Sequence, residues 1–436
     1  MASAKLSRTT TTPTSADIGT MSFWLKRSAI DVNNHYIVSN YVDSSNYGYI
    51  RFKAGDTLQI FSNSLNDEKR TSRLLRDTSA WYHIVLRVDT TQSTASDRVR
   101  LYINGVQETS FSPNSNGAQN ADYDLFKAGA TMEIGHRFTG TATYFDGQLA
   151  HFHYVDGQSY APTVFGETDA TTEIWKPKTD PGISQANYGN NGFFLKFDNS
   201  ANMGLDSSGN SHNLTTSGTI IQTKDTPANV FCTLNPLDCD LVSGLSNGNN
   251  TFSGFNTGTD YSATSSTLSA SSGKFYWEAK VTDLAEIDQV GIRLQNGVSM
   301  SIQGGNGSAG LQGTAYGGKG VQFSNGNKAG DGSQSAYMGG FSANDIIMVA
   351  LDLDNNKITF GRNGQWADGS GNANQTYANS TAAFTNLTSG EFYCPAQTSR
   401  SYGSNSGTTQ YNFGNGYFGT TIVSSAQNPD KHSENH

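Results

Sequence analysis

Two Asn-Gly corners, Asn104-Gly105 and Asn363-Gly364, each follow two runs of strand-like residues, and this repeated pattern constrains the fold more than any other feature. In HIVLRVD (83–89), Ile84, Leu86 and Val88 recur with period two. RVRLYINGVQ (98–107) then sets Val99, Leu101 and Ile103 on one face ahead of its corner. Asn-Gly suits the left-handed dihedrals of a type I′ turn, so each segment predicts a tight antiparallel hairpin. In the second segment DIIMVALDLD (345–354) is apolar on both faces, as expected of a strand covered on both sides. Ile358 and Phe360 then alternate inward in NNKITFGRNGQW (355–366).

The composition agrees with many short strands joined by turns. Only 35% of the 436 residues are hydrophobic, and 47 glycines stand against 9 prolines, which disfavours long helices. The length allows two or three domains, each with its own core. A net charge of −9 with no basic run argues against a nucleic-acid partner. No apolar stretch is long enough to insert in a membrane, and MASAKLSRTTTTP lacks the apolar centre of a signal peptide, so synthesis in a cytoplasm is expected. Cys232, Cys239 and Cys394 are too few for a disulfide framework; free thiols are expected, with a local Cys232–Cys239 pair as the alternative. His151 and His153 lie two apart on a predicted strand, but no third ligand follows at a metal-site spacing.

Three stretches carry resemblances. WYHIVLRVD (81–89), LYING (101–105) and FDGQLAHFHYVDG (145–157) resemble the laminin-G-like, concanavalin A-like lectin and glucanase superfamily. GKFYWE (273–278), VGI (290–292), Asp345-x-Ile347-x-Val349-x-x-Asp352, Ile358-x-Phe360-x-x-Asn363-Gly364 and NFG (412–414) resemble a SPRY domain. Between them, YGNNGFFLKF, DSSGN and DTPANVFCTLNPL look like the joint in tail-fibre or adhesin-like proteins of marine bacteriophages. The SPRY likeness departs at residues 296–334, where a glycine-laden stretch replaces the usual aromatic-rich strands.

The resulting expectation is an all-β chain of two antiparallel β-sandwiches, a laminin-G-like jelly roll over 1–160 and a SPRY sandwich over 241–425. A short-stranded spacer over 161–240, holding Pro177, Pro181, Pro227 and Pro236, joins them, and 426–436 is a polar tail.

A retaining glycanase needs two carboxylates about 5 Å apart, commonly on alternate positions of one strand. Glu286-Ile287-Asp288 is the nearest match and lacks the third carboxylate of that pattern, so no catalytic residue is assigned and polysaccharide hydrolysis is the minor alternative. Exposed rings beside Asn, Asp and Gln are better suited to sugars. Tyr41, Asp43, Tyr47 and Tyr49 in the first sandwich, with Trp366, Asp368 and Tyr402 in the second, are the ligand-binding candidates. For each of these, edge packing or a subunit contact is the competing reading. No cofactor or metal is assigned, although laminin-G resemblance leaves room for calcium at Asp43, Asp146 or Asp156.

The resemblances imply a virion protein: a tail-fibre or receptor-binding component, a homo-oligomer with a trimer favoured by the tail-fibre likeness, contacting other virion proteins and a host-surface glycan or protein. Its location would be a tail or surface appendage, and a decoration or tail-assembly role is the alternative.

Overall fold

The computed structural model describes residues 4–138, 144–239, 244–254, 262–285, 287–296, 311, 317–400 and 407–415. The chain forms two compact units, Met1–Gln222 with Thr226–Val230, and Thr223–Asp225 with Phe231–His436. Both are built from antiparallel sheets. Among the described residues no helix is long and apolar enough to cross a membrane.

In the first unit a six-stranded and an eight-stranded sheet enclose one apolar core. The six-stranded sheet contains the first predicted hairpin, Trp81–Asp89 paired with Val99–Ile103. Ile84, Leu86 and Val88 face Ile103, Leu101 and Val99 across the ladder, and all six enter the core. Asn104 and Gly105 have φ values of 50° and 79°, the left-handed pair that the hairpin requires.

The eight-stranded sheet runs, edge to edge, through Phe111–Asn114, Asp67–Leu74, Thr57–Ser62, Tyr47–Lys53, His35–Tyr41, Thr131–Ile134, Lys5–Thr9 and Thr215–Ser217. Alternation divides its two faces. Ile50, Phe52, Leu58 and Ile60 point into the core, which turns Tyr47, Tyr49, Arg51, Gln59 and Phe61 to the opposite face.

The second unit stacks a seven-stranded sheet on an eight-stranded one. Lys274–Asp283 pairs with Ile346–Asp352, which pairs with Lys357–Arg362 ahead of the second corner. Every residue of Ile346–Asp352 is buried. Ile347, Val349 and Leu351 enter the main core with Trp277, whereas Ile346, Met348 and Ala350 pack under Trp366 on the other face. Asn363 and Gly364 again have positive φ, 48° and 86°.

The expected spacer is the main correction to the domain layout. Phe193–Leu195 adds an edge strand to the six-stranded sheet beside Phe152 and Tyr154, and Thr215–Ser217 adds one to the eight-stranded sheet beside Leu6. Phe193, Leu195 and Leu214 lie in the first core. Phe165, Tyr188 and Phe194 cover Val85, Tyr102 and Val155 on the outer face of the six-stranded sheet. Beyond the crossover, Leu234–Cys239 pairs with Ser262–Ser266 in the second unit. Residues 161–240 are therefore shared out between the sandwiches, because their apolar side chains complete faces that 1–160 and 241–425 leave bare.

None of the three cysteines is in a disulfide, and burial pushes the Cys394 thiol up to about 12. His151 and His153 are separated by a bulge that gives His151 a φ of 47°; His153 is buried against the Tyr188 hydroxyl at 2.9 Å. Among the described residues no group of three His, Cys, Asp or Glu could hold a metal ion.

Candidate binding site

The hairpin His35–Tyr41/Tyr47–Lys53 builds the site. Its register sets Tyr41 opposite Tyr47, Ser39 opposite Tyr49 and Tyr36 opposite Arg51. The next strand brings Phe61 opposite Tyr49 and Gln59 opposite Arg51. These residues share the face turned away from the core, and Arg137 and Phe138 reach it from the segment after Thr131–Ile134.

The rings form a continuous platform. Tyr41 stacks on Phe138 with centroids 4.2 Å apart and planes 17° apart, and Phe138 lies 5.3 Å from Tyr47. Tyr47 is 5.9 Å from Phe61 and 6.3 Å from Tyr49. Tyr49 meets Phe61 at 5.1 Å and Tyr36 edge-on at 5.1 Å. Tyr41, Tyr47, Phe61 and Phe138 are half-buried, so their edges are packed and part of each ring remains accessible. Tyr49 is 7% exposed and Tyr36 1%, which makes them the floor. Burial pushes the Tyr49 phenol up to about 12, so it remains a neutral hydroxyl at ordinary pH.

A polar strip borders the rings. Arg51 donates through Nε to Gln59 Oε1 at 2.6 Å and through Nη1 to Asn34 Oδ1 at 2.6 Å and to the Tyr36 hydroxyl. Gln59 in turn donates to Glu68. The guanidinium of Arg51 lies 5.1 Å from the Tyr36 centroid and 4.6 Å from that of Tyr49; Arg137 lies 5.6 Å from Tyr36 and 5.2 Å from Phe138. Two cations thus meet over one tyrosine.

The structure brings together three of the seven sequence candidates, Tyr41, Tyr47 and Tyr49, but on strand positions flanking a turn and not in loops. Asp43 shapes that turn. It accepts from Ser45 N at 2.8 Å, Asn46 N at 3.0 Å and Asn46 Nδ2 at 2.9 Å, and the Asn46 side chain leads in holding its carboxyl below the usual range.

Trp366 departs from the expected exposed ring: it is 0% exposed, 4.9 Å from Tyr377 and tilted against Tyr276. Its strand position opposite Gly361 sends it back over Ile346, Met348 and Ala350. Asp368 is half-buried and closes its own turn, accepting from Ser370 N at 2.7 Å and Asn372 N at 3.1 Å. Tyr402, Glu286, about half of the glycine-rich stretch 296–334 (297–310 and 312–316) and the tail 426–436 lie outside the described residues.

Of the calcium candidates, Asp156 has both oxygens occupied by backbone donors, Oδ2 by Thr14 and Asn191 and Oδ1 by Ser15. Burial raises the Asp146 carboxyl. Asp288, from the glycanase-like match, is fully buried and accepts from Ala285 N at 2.7 Å.

Sequence reasoning missed Tyr36, Arg51, Phe61, Arg137 and Phe138. A signal existed for Arg51: in YGYIRFK the side chains of Tyr47, Tyr49 and Arg51 alternate with Gly48, Ile50 and Phe52. Phe138 carried none: MEIGHRF (132–138) reads as one period-two run, whereas the strand ends at Ile134 and Phe138 lies beyond it.

Residues 2–159 match the laminin-G family model of the concanavalin A-like lectin/glucanases superfamily, and residues 274–396 match the SPRY domain. Comparison with curated proteins gives no significant match. Among solved structures, the chain is similar to the SPRY domain of human HERC1 (18% identity, 42% of this chain and 98% of that one, TM-score 0.31). It is also similar to a SAP-like pentraxin from Limulus polyphemus (18%, 36% and 71%, TM-score 0.28) and a putative carbohydrate binding protein from Bacteroides ovatus (15%, 52% and 59%, TM-score 0.36). Both domain types suggest a binding protein. The chain carries a laminin-G-type domain of the concanavalin A-like superfamily followed by a SPRY domain.

Proposed function

We propose that this chain is an adhesion protein that holds a surface glycan on the ring platform of its first unit, as part of a bacteriophage tail fibre or similar receptor-binding appendage. The observation that carries the glycan reading is the contiguous row Tyr41, Phe138, Tyr47 and Phe61 on a rigid sheet face. Sugar rings present C–H faces that stack on aromatic rings, and their hydroxyls bond to planar polar groups such as those of Arg51, Gln59 and Glu68. The virion setting rests on the likeness of the joint sequence alone. In that setting a homo-oligomer, with many copies per particle, would supply avidity that one shallow face lacks. The reading is of recognition without catalysis.

Purified protein should bind host cells or their isolated surface polysaccharide. Tyr47→Ala should weaken that binding by about tenfold, the scale of losing one stacking contact and its ordered neighbours. Unchanged binding by Tyr47→Ala and Tyr41→Ala would remove the ring platform as the site, and release of reducing ends would replace adhesion by hydrolysis.

A further inference from the structure

We propose that the glycan held on this face is anionic, a saccharide chain bearing carboxylate or sulfate groups, with one acidic group seated between Arg51 and Arg137 above Tyr36. The inference rests on the ring-platform reading and deepens it.

The charge balance of the face carries it. Arg51, Lys53, Arg70 and Arg137 lie on or beside the platform, and among the described residues none has a carboxylate within ion-pair distance. Arg51 bonds to Gln59, Asn34 and Tyr36, all neutral, and Arg70 donates to the Ser112 carbonyl at 2.9 Å. Arg137 lies over the Tyr36 and Phe138 rings, and among the described residues its buried Nε has no hydrogen-bond partner. Partial burial, then the repulsion of Arg51 and Arg70, lower the Lys53 ammonium against a smaller pull from Glu68, so the cations outweigh the one carboxylate acting on it.

The nearby carboxylates are engaged elsewhere. Glu133 pairs with Lys5 and His136, and Asp124 with Ser62, Ser64 and Lys127. Asp43 closes its turn, and Glu68 accepts from Gln59. The first unit's fully buried Arg27 offers a contrast, because it is neutralised by Asp56 at 2.9 Å. Glu68 shares the face, opposite Phe61, but bonds to Gln59 and not to a cation, so among the described residues neither Arg51 nor Arg137 has a carboxylate partner. Two guanidinium groups converging on one tyrosine repel each other, and an anion between them would relieve that repulsion through charge-assisted hydrogen bonds. Stacking on Tyr41, Tyr47 and Phe138 would then read the sugar ring beside the acidic group.

The test is calorimetric titration of the full chain with four probes: oligogalacturonate, a sulfated galactan oligosaccharide, neutral cello-oligosaccharide and polyglutamate. Expected is binding to at least one of the two acidic saccharides, weakening with salt and falling by about tenfold in Arg137→Gln, with little response to the other two probes. Tyr47→Ala should lose the same ligand, which ties the charge to the rings. Preference for the neutral saccharide with no effect of Arg137→Gln would overturn the anionic assignment while leaving glycan adhesion standing. Equal binding of polyglutamate would reduce the patch to general charge attraction and overturn it too. Absence of binding to all four, together with binding of host polysaccharide that Arg137→Gln leaves unchanged, would also reject it; loss of host binding altogether would reject both readings.

Discussion

Trp366 illustrates how a single side chain can look like a ligand contact and be a structural one. It follows an Asn-Gly corner and precedes an Asp-Gly turn, a context that suits an exposed ring. The hairpin's short return strand instead lays the indole across Ile346, Met348 and Ala350. Tyr276 and Tyr377 close over it, and Nε1 is left without a partner. Trp366→Ala should therefore cost the second unit about 3–5 kcal/mol, as expected for emptying a large buried aromatic site. Urea unfolding would measure the loss, and glycan titration should be unaffected. Unchanged stability would show that the outer face is not packed as described. The contrast with Tyr47 explains what was legible at this scale. Alternation assigns a side chain to one face of a sheet, as it did for Ile84, Leu86 and Val88. It does not say whether the other face is covered, and that alone decides whether a ring there is core or site.

Residues 161–222 make the same point for elements. Their strands Phe193–Leu195 and Thr215–Ser217 are three residues long, too short for periodicity to reveal, and the surrounding Pro, Gly and Asn suggest a connector. Yet the segment supplies an edge to each sheet of the first unit, and Trp175 donates its indole N–H to His83 Nδ1 at 2.9 Å. Trp175 also lies on Gly105, where an added Cβ would stand 3.0 Å from the ring, so the predicted hairpin corner is held from outside as well as by its own dihedrals. A chain cut after residue 160 should lose cooperative unfolding or aggregate, because Phe152, Tyr154 and Val155 lose their cover. A chain cut after residue 222 should unfold cooperatively. Equal melting of the two, followed by circular dichroism, would restore the segment to the role of a spacer. The long strands and both corners were readable because their pattern is local; these short edges pair with strands 39 or more residues away.

At the scale of the whole molecule, four lowered histidines outnumber the raised Asp67 and Asp146 carboxyls in the first unit, whereas the second buries raised carboxyls, so the two should answer acid in opposite ways. The first unit buries neutral imidazoles. Burial, with a smaller push from Arg27, brings His35 down to about 4, and burial, with a smaller push from His151, brings His83 down to about 3. Burial also leads in lowering His151 and in holding His153 well below its usual value. The unfolded chain takes up protons below about pH 6.5 that the folded unit refuses, so this stability is present above pH 6.5 and lost as pH falls. The second unit buries carboxyls. Desolvation raises Asp288 to about 6 from 3.8 and also raises Glu278. Here the folded form keeps protons that the unfolded chain gives up, so stability is full below pH 3.8 and is lost as pH rises through about 6. Scanning calorimetry from pH 7 to pH 5 should show one transition moving down and the other moving up. Asp288→Asn, which keeps an acceptor for Ala285 N, should flatten the second response and leave the first unchanged. Two transitions that shift together, or a second transition whose pH dependence survives in Asp288→Asn, would show that these buried groups do not set the acid response of the units that contain them.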